Sequence, residues 1–558
     1  MTHTRLIDDR PLPRPAAAGP ADDRFHDLVE ARFRRLVRDN PIIGTWLGLH
    51  DGDDRLGDAG REQVLQELKD EQAHLSSIEA LAPAELSPGA RFDRELEIHN
   101  VRRSIFDAEV LRLWEHRSFA LDTIGDGLFL LFTRDHAPLA ERLDAVAGRL
   151  EDVPAYLEAS KTRATIPQTR IWQRMELTTA GELPGLFDEM VAAGDGVLAP
   201  AEARRLTQAA ESAKIALEVY SAWLDDTLVD GTDDWAIGRD KHDALVAHRA
   251  FDGLDADDIL ELGWAKLAEE KAARVAAARE VDPDADEATV LAAIKADGPP
   301  DFAGALEGYR TAMLRARQHL IDRDLVTVPP DERIEVIETP EYLREVLPFA
   351  AYFSPAPFDP DPKGIYVVTP SVGDDPEAMR EHNWASISNT SIHEAYPGHH
   401  LQLDAARRNP SLTRLLTDAA EFEEGWGMYS ELMLREHGFD DGPRFQVMLH
   451  TDAIWRACRI ILDVRMHRGE LTVDEATDFI VEQSGFQRSN AAAEVGWYTY
   501  RPTYPLSYLL GRTLLLSLRA DEQHRLGDRF SLKGFHDTLL RNGSLPISFH
   551  RRLLAGEG

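Results

Sequence analysis

Three features of the chain predict a mainly α-helical fold. Leu, Ala, Glu, Asp and Arg dominate its 558 residues and runs of β-branched residues are scarce. Apolar residues recur at a spacing near 3.6 over long stretches, Leu139–Lys161 among them. Alternation with a period of two is confined to one region, just before residue 370. A hydrophobic fraction of 43% with 29% charged residues is that of a globular protein with an ordinary core. The length allows a large core or two or three domains.

Taken in order, residues 1–22 are Pro-rich and read as a loose tail. A first helix is expected over Asp23–Asp39 and stops at Asn40-Pro41. Amphipathic spacing predicts a helix over Arg61–Ala80, and Pro88 opens another that reaches about Trp114. Helical patterning continues through 180–220 and 240–295. There Asp255-Ala-Asp-Asp places acid in a first turn, as the helix dipole prefers, and Leu260, Trp264 and Leu267 follow on one face. Three strands are expected at Arg333–Glu338, Ala350–Pro355 and Gly364–Thr369. Later helices are expected at Asp452–His467, Thr472–Gln483, Ala491–Tyr500, Thr513–Leu526 and Ser531–Arg541. Residues 23–558 read as one helical domain, divisible into lobes of about 23–330 and 331–558.

Charge and cysteine content narrow the function. The net charge of −36 repels nucleic acid and otherwise favours solubility. The single cysteine, Cys458, permits no intramolecular disulfide and reads as a small buried hydrophobe. No apolar run has the length of a membrane span, and the first residues lack the apolar core of a signal peptide. A cytoplasmic protein with no membrane or nucleic-acid partner is the expectation.

The chemistry concentrates in Ser391-Ile-His-Glu-Ala-Tyr-Pro-Gly-His-His400. A His-Glu pair at the start of a helix, with a second His further on, is the pattern of zinc hydrolases: neutral imidazoles hold the metal and the Glu serves as general base. The spacing is unusual. His399 follows His393 by six residues, roughly 120° off its face and about 9 Å along a straight helix. His400 returns to the face but lies about 10.5 Å away. Pro397 and Gly398 are the residues that could bulge the helix and bring His399 back. Ser391 and Glu394 also fit a capping box.

A third ligand is needed to leave one position for water. The segment Ala419-Ala-Glu-Phe-Glu-Glu-Gly-Trp-Gly-Met-Tyr-Ser-Glu431 offers Glu421, Glu423 and Glu424. Glu424, beside a glycine where helices can approach closely, is the choice, with Glu423 the alternative. Arg456, Arg459, Asp463 and His467 form a polar ladder that reads as support for a site.

Two signatures now carry a resemblance. His-Glu, two residues, Pro-Gly-His-His and Gln are matched by His393–Gln402, and Glu-Gly-Trp with following Tyr and Glu by Glu424–Glu431. Tyr498, Pro502, Leu506–Arg512, Phe535-His-Asp and Gly543–Pro546 extend the match. In these the chain resembles a bacterial family, the domain of unknown function 885, from about Asp23 to the C-terminus. That family in turn is similar to helical zincin peptidases such as thimet oligopeptidase, the carboxypeptidase Taq family and angiotensin-converting enzyme. Those carry His-Glu-x-Gly-His or a close variant, and this chain has two extra residues before Gly398-His399.

The resemblance implies a helical zincin-like fold with a deep channel and a small β-sheet next to the active-site helix. It implies tyrosines near the C-terminus that steady an oxyanion. Among Tyr498, Tyr500, Tyr504 and Tyr508, the family pattern selects Tyr498 and Tyr508, while Arg501 and Arg512 could bind a substrate carboxylate.

The expectation is therefore a zinc metallopeptidase acting on short peptides or small amides. His393, His399 and Glu424 hold zinc, with His400 open as the alternative to His399, and Glu394 is the general base. The strands near Ile334–Ile337 and Ile365–Val368 would hold an extended peptide. The rivals are a zinc amidase or esterase for a small metabolite, and a helical peptide-binding protein without metal. Oligomeric state is left open.

Overall fold

Helices carry most of the chain, as its composition requires. The computed structural model describes residues 7, 10–340, 344, 350–370 and 379–557. They fall into two compact units, the main division coming at Trp235–Ala236 and not near residue 330. Among the described residues, no helix is long and apolar enough to cross a membrane.

The first unit is residues 1–235 with the short segments Ala356–Pro362 and Pro410–Thr413. Its first helix, Pro20–Asp39, begins with proline, which has no N–H to leave unpaired. Within the preceding Pro-rich stretch, Arg14 bonds Asp23 and Asp27 of that helix. The helix opened by Pro88 ends at Phe106 instead of Trp114. A wide turn over Asp107–Leu111 and a left-handed Arg112 (φ 53°) break it. The helices Leu139–Lys161 and Pro200–Leu228 pack along one another.

The second unit holds the motif. Its sheet has strands β1 (Ile334–Glu338), β2 (Ala350–Phe353) and β3 (Gly364–Val368) in the order β1-β3-β2. β3 is central, parallel to β1 and antiparallel to β2, and all five of its residues are buried. Val336, Tyr366 and Val368 of the sheet join one apolar core with Ile392, Tyr396, Phe422 and Trp426.

Two close helix pairs frame that core. The helix Ala256–Val281 lies along Pro443–His467. At their contact a Cβ on Gly263 would come within 2.8 Å of Ile460. The buried face is accordingly Ile259, Gly263 and Leu267, while Trp264, expected on that face, is 43% exposed. The second pair is Ala420–Glu436 on Ser507–Leu526. Gly425 meets Gly511 there, and a Cβ on Gly425 would sit 2.5 Å from the Gly511 carbonyl carbon. The reverse substitution is worse, since a Cβ on Gly511 would overlap the Glu421 carbonyl oxygen.

Gly511→Ala therefore forces two helices apart. We expect it to destabilise the protein by about 1–3 kcal/mol, the usual penalty of overpacking, in urea unfolding. Wild-type stability in this variant would contradict the close contact.

Candidate metal centre

The motif departs from the expected bulged helix. His393 and Glu394 end a helix, Trp384–Glu394, that starts earlier in the stretch Asn383–Thr390. Asn383 caps it by accepting the Ser386 N–H at 2.9 Å. The Ser391-to-Glu394 spacing is thus no N-cap. A second helix, His399–Ala406, begins at the other histidine. Between them the Tyr396–Pro397 bond is cis. The corner is held by two hydrogen bonds: the Gly398 N–H donates to Ile392 O at 3.0 Å and the Trp426 indole N–H to Pro397 O at 2.7 Å. A Cβ at Gly398 would overlap the His393 carbonyl oxygen. Two helices meeting at a tight corner, not one distorted helix, bring His399 beside His393.

Their rings lie 4.8 Å apart and nearly perpendicular, at 86°. The Nε2 atoms of His393 and His399 stand 3.7 and 3.5 Å from the same Glu424 oxygen, Oε2. One donor atom from each of these residues falls within 4.8 Å of the others. Glu424 comes from the helix Ala420–Glu436, and its Oε1 accepts the Tyr504 hydroxyl at 2.8 Å. The far side of His393 is fixed too. Its Nδ1 bonds Glu431 at 2.7 Å, and Glu431 accepts from Asn389 at 3.0 Å. Nε2 is left to face Glu424. Gly427 supplies the floor: a Cβ there would strike the His393 ring at 2.6–2.8 Å.

The electrostatics are those of a site short of positive charge. Burial lowers the His393 pKa, yet hydrogen bonds to Glu424 and Glu431 lift it to about 10. Burial also opposes a charged His399, and Glu424 outweighs it. Burial would raise Glu424, but the two imidazoles hold it well below the usual carboxylate range. Glu394 is half-buried and its pKa is raised, first by burial and further by Glu424. Two imidazoles with nitrogens aimed at one carboxylate, and a carboxylate behind one of them, match the donor set of a zinc site.

Other expected residues lie elsewhere. His400 turns away, with Nε2 on Glu332 at 2.7 Å and Nδ1 on Tyr352 at 2.9 Å. Glu423 is outside the cluster, its pKa pushed to about 7 by burial. Tyr508 borders the cavity over the site. Tyr498 does not: it is fully buried, donates to Glu494 at 2.7 Å and accepts from Arg459 at 3.1 Å. Arg501 is exposed, near the Tyr500 ring. Arg512 is buried in an ion pair with Glu270. Neither of these arginines faces the site. Of the polar ladder, Arg456 and Arg459 line the cavity, whereas Asp463 bonds His242 at 2.9 Å and the Thr503 N–H at 2.8 Å. Tyr504, Glu431 and Asn389 carried no assigned role. Glu431 was detectable, seven residues after Glu424 and so on the same helix face.

The cavity holds about 420 Å³, the scale of a small-ligand site. His393, Glu394, His399 and Glu424 form one part of its wall, and Ala350–Tyr352 another. The strand beside the site is thus β2, an edge strand, and not β1 or β3. A second histidine group, His50, Asp53 and His136, lies in the first unit. There Asp53 already accepts from Thr45 at 2.5 Å and bonds His50 at 2.7 Å, with the Arg149 guanidinium 3.7 Å away. Its negative charge is met by protein, as in a buried ion network.

No curated protein matches the chain. Solved structures share its fold, among them the following two. One is of a protein provisionally described as a lipoprotein of unknown function from Shewanella oneidensis: 22% identity, TM-score 0.78, 95% of this chain and 99% of that one covered. The other is of a protein provisionally described as a lipoprotein from Colwellia psychrerythraea: 17% identity, TM-score 0.82, with 96% and 99% covered. The family model described as a bacterial protein of unknown function (DUF885) matches residues 41–554, and the chain belongs to that family.

Proposed function

We propose that the chain is a zinc-dependent metallohydrolase that cleaves short peptides. The observation that carries this is the convergence of His393 Nε2, His399 Nε2 and the Glu424 carboxylate beside Glu394, in one cavity. The likeness of His393-Glu394 and Gly398-His399 to the His-Glu-x-Gly-His of helical zincins supports it. Zinc bound by the three side chains would supply a Lewis acid that polarises the carbonyl and acidifies water.

The protein's own groups do the rest. Glu394 borders the cavity next to the first ligand, takes a proton from the attacking water and returns it to the leaving nitrogen. Tyr508 borders it too, a neutral phenol that can donate to the developing oxyanion without adding charge. Tyr504 holds Glu424, and Glu431 holds His393, so the ligands are oriented before substrate arrives. β2 offers an edge along which a peptide main chain can extend. A cavity of about 420 Å³ suits a few residues of unfolded peptide and not a folded domain.

Purified protein should bind about one zinc ion by elemental analysis, and His393→Ala should abolish it. Glu394→Gln should keep the ion and lose turnover by about 100-fold or more on short peptides. Loss of the ion in Glu394→Gln, or full activity without metal, would overturn these roles.

Glu431 makes a separate prediction. Glu431→Gln should weaken zinc affinity by about 10–100-fold in a chelator competition. Gly427→Ala should weaken it as well, by displacing the His393 ring. Unchanged affinity in both would show that neither residue positions the ligand.

A further inference from the structure

We infer that the substrate of this cavity carries a carboxylate, held by Arg456 with help from Arg459. The inference rests on the hydrolytic reading and adds the chemical class of what is hydrolysed.

Arg456 and Arg459 lie one turn apart on the helix Pro443–His467 and both line the cavity. Arg459 is almost wholly enclosed. Its Nε donates to Tyr498 at 3.1 Å and one terminal nitrogen to Glu494 at 2.8 Å, but the other makes no hydrogen bond. Arg456 is less satisfied still. Its Nε and one terminal nitrogen are buried without a hydrogen bond, and that terminal nitrogen is in a long ion pair with Asp452, at 3.7 Å and beyond hydrogen-bond range.

Aromatic faces fix both guanidinium groups. Trp455 lies 3.7 Å from Arg456 and 4.2 Å from Arg459, and the Tyr508 ring is 4.5 Å from Arg459. Stacking occupies the flat faces of a guanidinium and leaves its N–H edge for planar anions. Burying such N–H donors without hydrogen bonds is costly unless a ligand completes them. The position suits a substrate: Arg456 and Glu394 line the same cavity, so an anion on Arg456 shares it with the reacting bond. Lys295, the other Lys or Arg among the described residues of the wall, is already bridged to Glu381 at 2.9 Å. Glu381, Glu394 and Asp452 also line the cavity and would repel a multiply charged anion such as phosphate. A single carboxylate fits, and a peptide presents one at its C-terminus or on an Asp or Glu side chain.

The test uses the zinc-loaded full chain and N-acetylated tripeptides in three forms: free acid, C-terminal amide, and amide ending in Glu. Hydrolysis is measured on wild type and Arg456→Gln. Binding is measured by calorimetry on Glu394→Gln with and without Arg456→Gln, and zinc content on all. Wild type should prefer the free acid over the plain amide by about 30-fold in kcat/KM, the weight of one or two charge-assisted hydrogen bonds. Arg456→Gln should erase the preference at unchanged zinc content. The Glu-terminated amide matching the free acid would make a side chain the source, and its failing would make the C-terminus the source. Equal cleavage of acid and plain amide by wild type would overturn the carboxylate site and leave the hydrolase standing. If no peptide is cleaved, the hydrolytic reading fails. Acid-selective binding lost in Arg456→Gln would then still support the carboxylate site, and equal or absent binding would overturn it.

Discussion

The site depends on how closely the helix Ala420–Glu436 can be approached. Gly425 lets the helix Ser507–Leu526 touch it on one side, and Gly427 lets the His393 ring lie on it on another. Glu424 sits between these glycines and is gripped from both directions, by Tyr504 and by the two imidazoles. A side chain at 425 would collide with Gly511 of the neighbouring helix, and one at 427 with the His393 ring. Trp426, also between the glycines, donates to Pro397 O and ties the corner of the motif to the same helix. Three consecutive residues after Glu424 thus each hold a different part of the centre.

The charge distribution follows from that packing. Glu394, Glu424 and Glu431 surround two histidines in a buried space, an excess of negative charge that a divalent ion would neutralise. Arg456 and Arg459 lie in the same cavity but make no hydrogen bond to these carboxylates. The cavity therefore has an anionic part suited to a cation and a cationic part suited to an anion, an arrangement that would orient a substrate.

Much of this was legible in the chain, because residue type encodes chemistry. His393, His399 and Glu424 were identifiable as candidate ligands and Glu394 as a candidate base beside them, and the structure brings the four together. The spacing of six was not interpretable from helix geometry, since its solution is a helix end at Glu394 and a new start at His399. The three strands were visible from alternation and β-branched content, but not their order, which makes β2 the strand at the cavity. The choice among tyrosines was beyond periodicity: residues 499–506 are an irregular turn, with Thr503 at φ 66°, and that turn sends Tyr504 to Glu424 and leaves Tyr498 with Arg459. Arg512 was open to misreading because its partner, Glu270, lies on a helix far away in sequence.

The most direct test is to see the ion in place. Crystals grown with one equivalent of zinc and measured on both sides of its absorption edge should show a single anomalous peak. It should lie about 2.0–2.2 Å from His393 Nε2, His399 Nε2 and a Glu424 oxygen. A peak at His50, Asp53 and His136 instead, or none at full zinc occupancy of the solution, would contradict the assignment of this centre.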